Sequence, residues 1–165
     1  MIAGIYSLSK LQMAIAENPD RWRPLVLTNG CFDLLHSGHV RYLNSARKLG
    51  RSLVVGLNSD ASIRLIKPDR VPSRPIVPEL ERAEVLAALK SVDGVVIFSE
   101  KTAEQLVEAL HPEIYAKGGD YNLQTLPEAS IVQSYGGQVR LIEIEVQSST
   151  SAIVDRILRG ESRNP

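Results

Sequence analysis

A single cysteine, Cys31, is all that this chain of 165 residues contains. No intrachain disulfide can form and no multi-cysteine metal site is available, which suits a reducing compartment. Charge of one sign is not in excess either, because 19 Lys and Arg balance 19 Asp and Glu. No general attraction to nucleic acid or to an anionic membrane follows, so any bound phosphate must be held by local groups. No apolar run is long enough to span a bilayer, and MIAGIYSLSKLQ lacks a basic stretch followed by an apolar core. Neither a membrane segment nor a secretory leader is expected. Absent too are the Gly-x-x-x-x-Gly-Lys-Ser/Thr phosphate loop and the Gly-x-Gly-x-x-Gly dinucleotide fingerprint. That argues against a P-loop kinase and an ordinary NAD enzyme. A cytoplasmic protein with no nucleic-acid and no membrane partner is the expectation.

What is there has the proportions of a soluble globular domain, with 44% apolar and 23% charged residues. The length suits one domain spanning residues 1–165, with a helical N-terminal segment over 1–22 (amphipathic from Ser7 to Asn18) and a frayed tail over 160–165. Between them apolar runs alternate with helical patterns. Leu25–Leu27, Leu53–Leu57, Val95–Phe98, Ile114–Ala116 and Val139–Ile144 read as strands. His39–Leu49, a helix capped by Ser59-Asp60 and running to Lys67, Glu79–Val92, Thr102–Leu110, Pro127–Tyr135 and Ser149–Leu158 read as helices. Thr102 and Gln105 have capping-box spacing, and Pro68 to Pro78 reads as a surface loop. Five short apolar strands alternating with helices predict a Rossmann-like, doubly wound α/β fold: a five-stranded parallel sheet with helices on both faces. Ligands of such sheets bind beyond the carboxyl ends of the strands, so the loops that begin at Thr28, Asn58, Ser99, Lys117 and Glu145 are the candidate sites.

The first of these loops reads Asn29-Gly30-Cys31-Phe32-Asp33-Leu34-Leu35-His36-Ser37-Gly38-His39. Histidines three apart at a helix entrance share a face, and free amides at a helix start hold phosphate oxygens. Gly38 lets a phosphate approach the backbone. Imidazoles so placed can donate hydrogen bonds to charge that builds during in-line attack on a phosphoryl group. The same pair could also be capping histidines or part of a metal site with Asp33.

That string resembles the His-x-Gly-His signature of the cytidylyltransferase-like nucleotidyltransferases. Its Asn-Gly-Cys-Phe-Asp opening is most similar to the branch that adenylylates D-glycero-β-D-manno-heptose 1-phosphate. The similarity continues through YLNSARKLG, GLNSDAS, ERAEVLAALKSVD, KGGDY and SSTSAIVDRI, so it covers about Leu25 to Leu158. The resemblance implies an ATP-using adenylyltransferase. Its triphosphate would be held by the backbone at Cys31 and Phe32, with His36, Gly38 and His39, and Asp33 would lie nearby. Asp33 would help bind Mg²⁺, orient a neighbouring donor, or simply cap the turn. Cys31 reads as small and unreactive. The resemblance also implies a phosphate-neutralising lysine, for which Lys67 is the best match in a loop that also holds Arg70 and Arg74.

Two more loops complete the expected site. Gly118 and Asp120 of Lys117-Gly118-Gly119-Asp120-Tyr121 would lie by the base or ribose. Ser149, Thr150 and Ser151, following Ser148, would grip phosphates with hydroxyls and helix amides, although one of them could serve as an ordinary N-cap. Arg82 could face either the site or a partner subunit. The resemblance further implies a small sugar phosphate as partner, a homodimer, and a separate sugar kinase acting upstream. A related transferase acting on glycerol 3-phosphate, and a non-catalytic nucleotide-binding module, are the alternatives.

Overall fold

A computed structural model of the chain describes residues 4–68, 72–119, 125–143 and 149–160. The expected alternation is present, with six strands in place of five. Ile5–Tyr6 forms β1, followed by helix α1 (Leu8–Glu17) and the single-turn α2 (Pro19–Trp22). The first 22 residues are thus not helical throughout, because Ile5 and Tyr6 pair with Val95 and Val96 at one edge of the sheet. Two residues carry no readable periodicity, so only the tertiary pairing reveals that strand.

The other elements are β2 (Leu25–Gly30), α3 (Ser37–Arg47), β3 (Ser52–Asn58), α4 (Asp60–Ile66), α5 (Glu79–Ala87), β4 (Gly94–Phe98), α6 (Glu104–Leu110), β5 (Ile114–Gly118), α7 (Pro127–Ser134), β6 (Gln138–Ile142) and α8 (Thr150–Arg159). All strands pair in parallel, in the order β1-β4-β3-β2-β5-β6. α5 stops at Ala87, short of the expected Val92. The capping box expected at Thr102 and Gln105 is not formed. The Thr102 hydroxyl bonds the Glu104 carboxylate instead (2.6 Å), and the Ala103 amide donates to Glu128 Oε1 on α7 (2.9 Å). A carboxylate brought in by the fold has replaced the local cap. Residues 161–165 of the expected tail, and the end of the last strand at Ile144, lie outside the described residues.

Successive strand side chains point to opposite faces, which explains two separate cores. Leu25, Leu27, Val54, Val96, Phe98 and Tyr115 pack with Leu11, Trp22, Leu106 and Val132 from α1, α2, α6 and α7. Val26, Leu53, Val55, Leu57, Val95 and Ala116 pack on the other face with Leu43, Ala46, Ala83 and Leu86 from α3 and α5. Every residue of β3 is buried, as a strand covered on both faces must be. Gly56 of β3 admits α6 at close range: a Cβ there would lie 2.5 Å from Leu106 Cδ2. Among the described residues no helix is long and apolar enough to cross a membrane.

From β2 the chain winds outward through β3 and β4, then returns to lay β5 on the other side of β2. The strand order therefore reverses between β2 and β5, and a crevice opens at their carboxyl ends. Tyr42 of α3 spans this reversal, bonding Thr28 Oγ1 of β2 (2.7 Å) and the Ala116 carbonyl of β5 (3.0 Å).

Candidate active site

Where β2 ends, the chain turns sharply into α3. Phe32 adopts a left-handed conformation (φ 44°), which swings the chain out of the sheet. Its ring lies so near Gly30 that a Cβ there would sit 3.0 Å from Phe32 Cε2. The same ring packs beside His39, with centroids 5.3 Å apart. His36 is the N-cap residue of α3 but makes no capping hydrogen bond, and His39 follows one turn later. Their rings stack, 3.9 Å apart and inclined by 30°.

Both Nδ1 atoms are buried without a hydrogen-bond partner among the described residues. Burial lowers the pKa of His36, and burial together with the neighbouring His36 pushes that of His39 down to about 4. The pair is therefore neutral at physiological pH and has unused hydrogen-bonding capacity at the start of an eleven-residue helix with no acid in its first turn. An anion arriving there would find amides, a positive helix end and unsatisfied imidazoles together.

Beneath these groups lies a frame in which the charged groups are paired. Asp33 Oδ2 accepts from Arg74 Nη1 (2.7 Å), and Oδ1 accepts from the amides of Ile76 (2.8 Å) and Val77 (3.0 Å). Burial alone would raise the Asp33 pKa, but the bonds from Val77, Arg74 and Ile76 outweigh it and hold the carboxyl below its ordinary range. These bonds tie the first loop to the proline-rich loop, a role outside the three expected of Asp33. Arg82, 2% exposed, donates to the carbonyls of Val77 (2.8 Å), Cys31 (2.6 Å) and Asn58 (2.9 Å), and pairs with Asp60 (2.7 Å). Its guanidinium turns inward to clamp three loops. The alternative of a partner-facing Arg82 is thereby removed.

From the β5 side comes Lys117, which donates to Asn29 Oδ1 (2.8 Å) beside a second donor, the Tyr115 hydroxyl (2.6 Å). Burial lowers the Lys117 pKa, with Glu128 and Cys31 opposing that shift. Gly118 ends the strand, and Asp120 lies outside the described residues. Ser149 is the N-cap of α8, accepting from the Ala152 amide (3.1 Å), and Thr150 Oγ1 donates to the Leu34 carbonyl (3.3 Å). Lys67 is the C-cap residue of α4, and its exposed side chain makes no hydrogen bond or ion pair among the described residues. Burial raises the Cys31 thiol pKa, against the opposing charges of Lys67 and Arg82, so the thiol stays protonated and inert.

These elements enclose a cleft of two lobes that share Asn29 to Phe32, His39, Lys67, Lys117, Thr150 and Ser151. One lobe, about 310 Å³, adds His36, Gly38, Gly118 and Ser149. The other, about 510 Å³, adds Asn58, Ile63, Arg74, Lys101, Thr102 and Glu128. Every described residue expected at the site lines one lobe or both. Sequence reasoning missed Asn29 as a shared acceptor, Lys101 at the rim, and Glu128. The last stands in the first turn of α7, where an acid looks like an ordinary helix-dipole partner. Among the described residues no group of three or more His, Cys, Asp or Glu could hold a metal ion, and Asp33 is already committed. The described residues do not build a metal site of their own.

A parallel sheet with a crevice at the strand reversal, an imidazole pair at one helix start and hydroxyls at another are the features of a nucleotidyltransferase domain. Residues 27–156 match the cytidylyltransferase-like family, and the chain belongs to it. It is 54% identical over 138 residues to the bifunctional protein HldE of Syntrophotalea carbinolica, covering 84% of this chain and 28% of that one. It is 48% identical over 154 residues to the bifunctional protein HldE of Citrifermentans bemidjiense, covering 93% and 31%. The chain thus spans under a third of the length of these relatives. Among solved structures it is similar to the lipopolysaccharide core biosynthesis protein of Thermoplasma volcanium, with TM-score 0.59 and 29% identity, covering 74% of this chain and 97% of that one.

Proposed function

We propose that the chain transfers AMP from ATP to D-glycero-β-D-manno-heptose 1-phosphate, giving ADP-heptose and pyrophosphate. An oxygen of the sugar phosphate attacks the α-phosphorus, the bond from that phosphorus to the bridging oxygen breaks, and pyrophosphate leaves with the electron pair. The attacking phosphate is ionised at neutral pH, so no strong general base is needed. Positioning and charge stabilisation carry the rate.

His36 and His39 would donate to the α- and β-phosphate oxygens as charge builds. The amides after Cys31 and Phe32, at Gly38 and at Ser149 to Ser151 would cradle the triphosphate, with Gly118 and Asp120 toward the nucleoside. Lys67, uncommitted at the rim, would close over the phosphates as a mobile point charge. Mg²⁺ would arrive on the nucleotide itself, and no step here runs through it. The observation that carries the proposal is the stacked imidazole pair with both Nδ1 atoms buried and unpartnered at the start of α3.

The reading brings with it a cytoplasmic location, a single transferase domain and a kinase step that supplies the sugar phosphate. The relatives are named bifunctional and are matched over under a third of their length, so most of their chain lies outside the matched part. Homodimerisation belongs to the same reading. Pyrophosphate release, measured with ATP and CTP against heptose 1-phosphate, glycerol 3-phosphate and other phosphorylated acceptors, tests it. Fastest turnover is expected with ATP and heptose 1-phosphate. Preference for glycerol 3-phosphate would sink the acceptor, and ATP binding without pyrophosphate from any acceptor would leave a non-catalytic module.

A further inference from the structure

The two lobes of the cleft differ in the charge they can accept. The smaller gathers the features suited to a polyanion: both imidazoles, Gly38 at the start of α3 and Ser149 at the start of α8. The larger lobe is lined by a buried acid, Glu128, only 3% exposed. One carboxylate oxygen, Oε1, accepts the Ala103 amide (2.9 Å), which fixes the side chain across the gap between α7 and α6. The other, Oε2, is buried with no hydrogen-bond partner among the described residues. A buried carboxylate oxygen left without a donor costs free energy, and structures retain such a group where a ligand supplies the missing bond. That donor cannot be a phosphate, which is an acceptor of the same charge sign. It must be neutral or cationic. Lys101 lines the same lobe without a hydrogen bond or ion pair among the described residues.

We propose that Glu128 is the residue that reads the hydroxyls of the acceptor. Its Oε2 accepts from a sugar hydroxyl in the larger lobe, while the acceptor's phosphate points back toward the shared wall and the imidazoles. This rests on the transferase reading above, and it adds a division of the cleft: polyanion in the smaller lobe, polyol in the larger. A carboxylate is suited to the task because a sugar presents many donors, and a bond from a neutral donor to a charged acceptor is stronger than one between neutral groups. A site built to receive a hydroxyl also rejects analogues that lack it, because the buried oxygen is then left unpaired.

Glu128→Gln tests this, since Gln can keep the Oε1 bond to Ala103 and replaces Oε2 by an amide donor. In steady-state pyrophosphate release the KM for heptose 1-phosphate should rise about 10- to 100-fold, the range expected for one hydrogen bond to a charged group. The KM for ATP should stay within about twofold, and preference for the full sugar over its deoxy analogues should collapse. An unchanged acceptor KM overturns the assignment, as does a rise in the ATP KM alone. If the variant does not fold, the wild-type deoxy series decides, and no analogue weakened beyond about threefold would overturn it. A wild type that uses glycerol 3-phosphate but no sugar overturns the heptose reading alone, and Glu128 is then judged by the same KM split on that diol. A wild type that uses no acceptor overturns both.

Discussion

Two groups of side chains lie within one loop of each other and differ in how fully they are bonded. Arg82 and Asp33 are buried and saturated, one spending its guanidinium on three carbonyls and a carboxylate, the other accepting a guanidinium and two amides. His36 and His39 keep buried Nδ1 atoms with no hydrogen-bond partner among the described residues. The saturated groups hold the loops after β2 and β3 and the proline-rich loop in register. The unsaturated ones are costly as they stand, and the proposed polyanion would relieve that cost. Satisfied charge thus marks the frame of this site, and unsatisfied polarity marks its working surface.

If that contrast is right, damage to the two groups should appear in different measurements. Arg82→Met should give the largest effect, a loss of about 3–5 kcal/mol of stability read from the urea midpoint, because Asp60 and three carbonyls lose their partner. Lysine should not rescue it, since one ammonium cannot reproduce the fork. A midpoint within experimental error of wild type would show that the clamp contributes nothing. His36→Ala and His39→Ala should do the reverse, lowering kcat by roughly 10²–10³ while the urea midpoint is unmoved or raised. Wild-type turnover in both variants would remove the catalytic role.

The smallest effect sharpens the comparison through pH. With its folded pKa near 4 and an unfolded value near the ordinary histidine range, His39 is neutral in the native protein where the unfolded chain already binds a proton. Stability is then fully present above about pH 6.5 and falls as the pH drops toward 4. Thermal melts across that window should slope less steeply in His39→Ala. Equal slopes would mean that the ring is not held neutral by burial.

Much of this was legible before any coordinates. Alternating short apolar runs and helical stretches fixed the parallel, doubly wound class, because a strand buried on both faces has no polar side to show. The glycine between two histidines, after a strand and before a helix, marked the crevice. The rest depended on contacts far apart in the chain. β1 is too short to carry a period, and its strand character comes from pairing with β4. The Thr102 cap was a sound local pattern, but Glu128 had a better acceptor to offer the Ala103 amide. Asp33 had three local readings, and residues more than forty positions away gave it another, that of a tie between loops.

By itself, then, the sequence determined the layering, the strand ends at which ligands collect, and the chemistry of the imidazole pair, since periodicity and short motifs are local properties. Only the tertiary structure decided which charged groups are already bonded and which are still waiting for a partner. Saturation of a buried polar atom depends on what the fold brings within three ångströms of it, and no window of sequence contains that information.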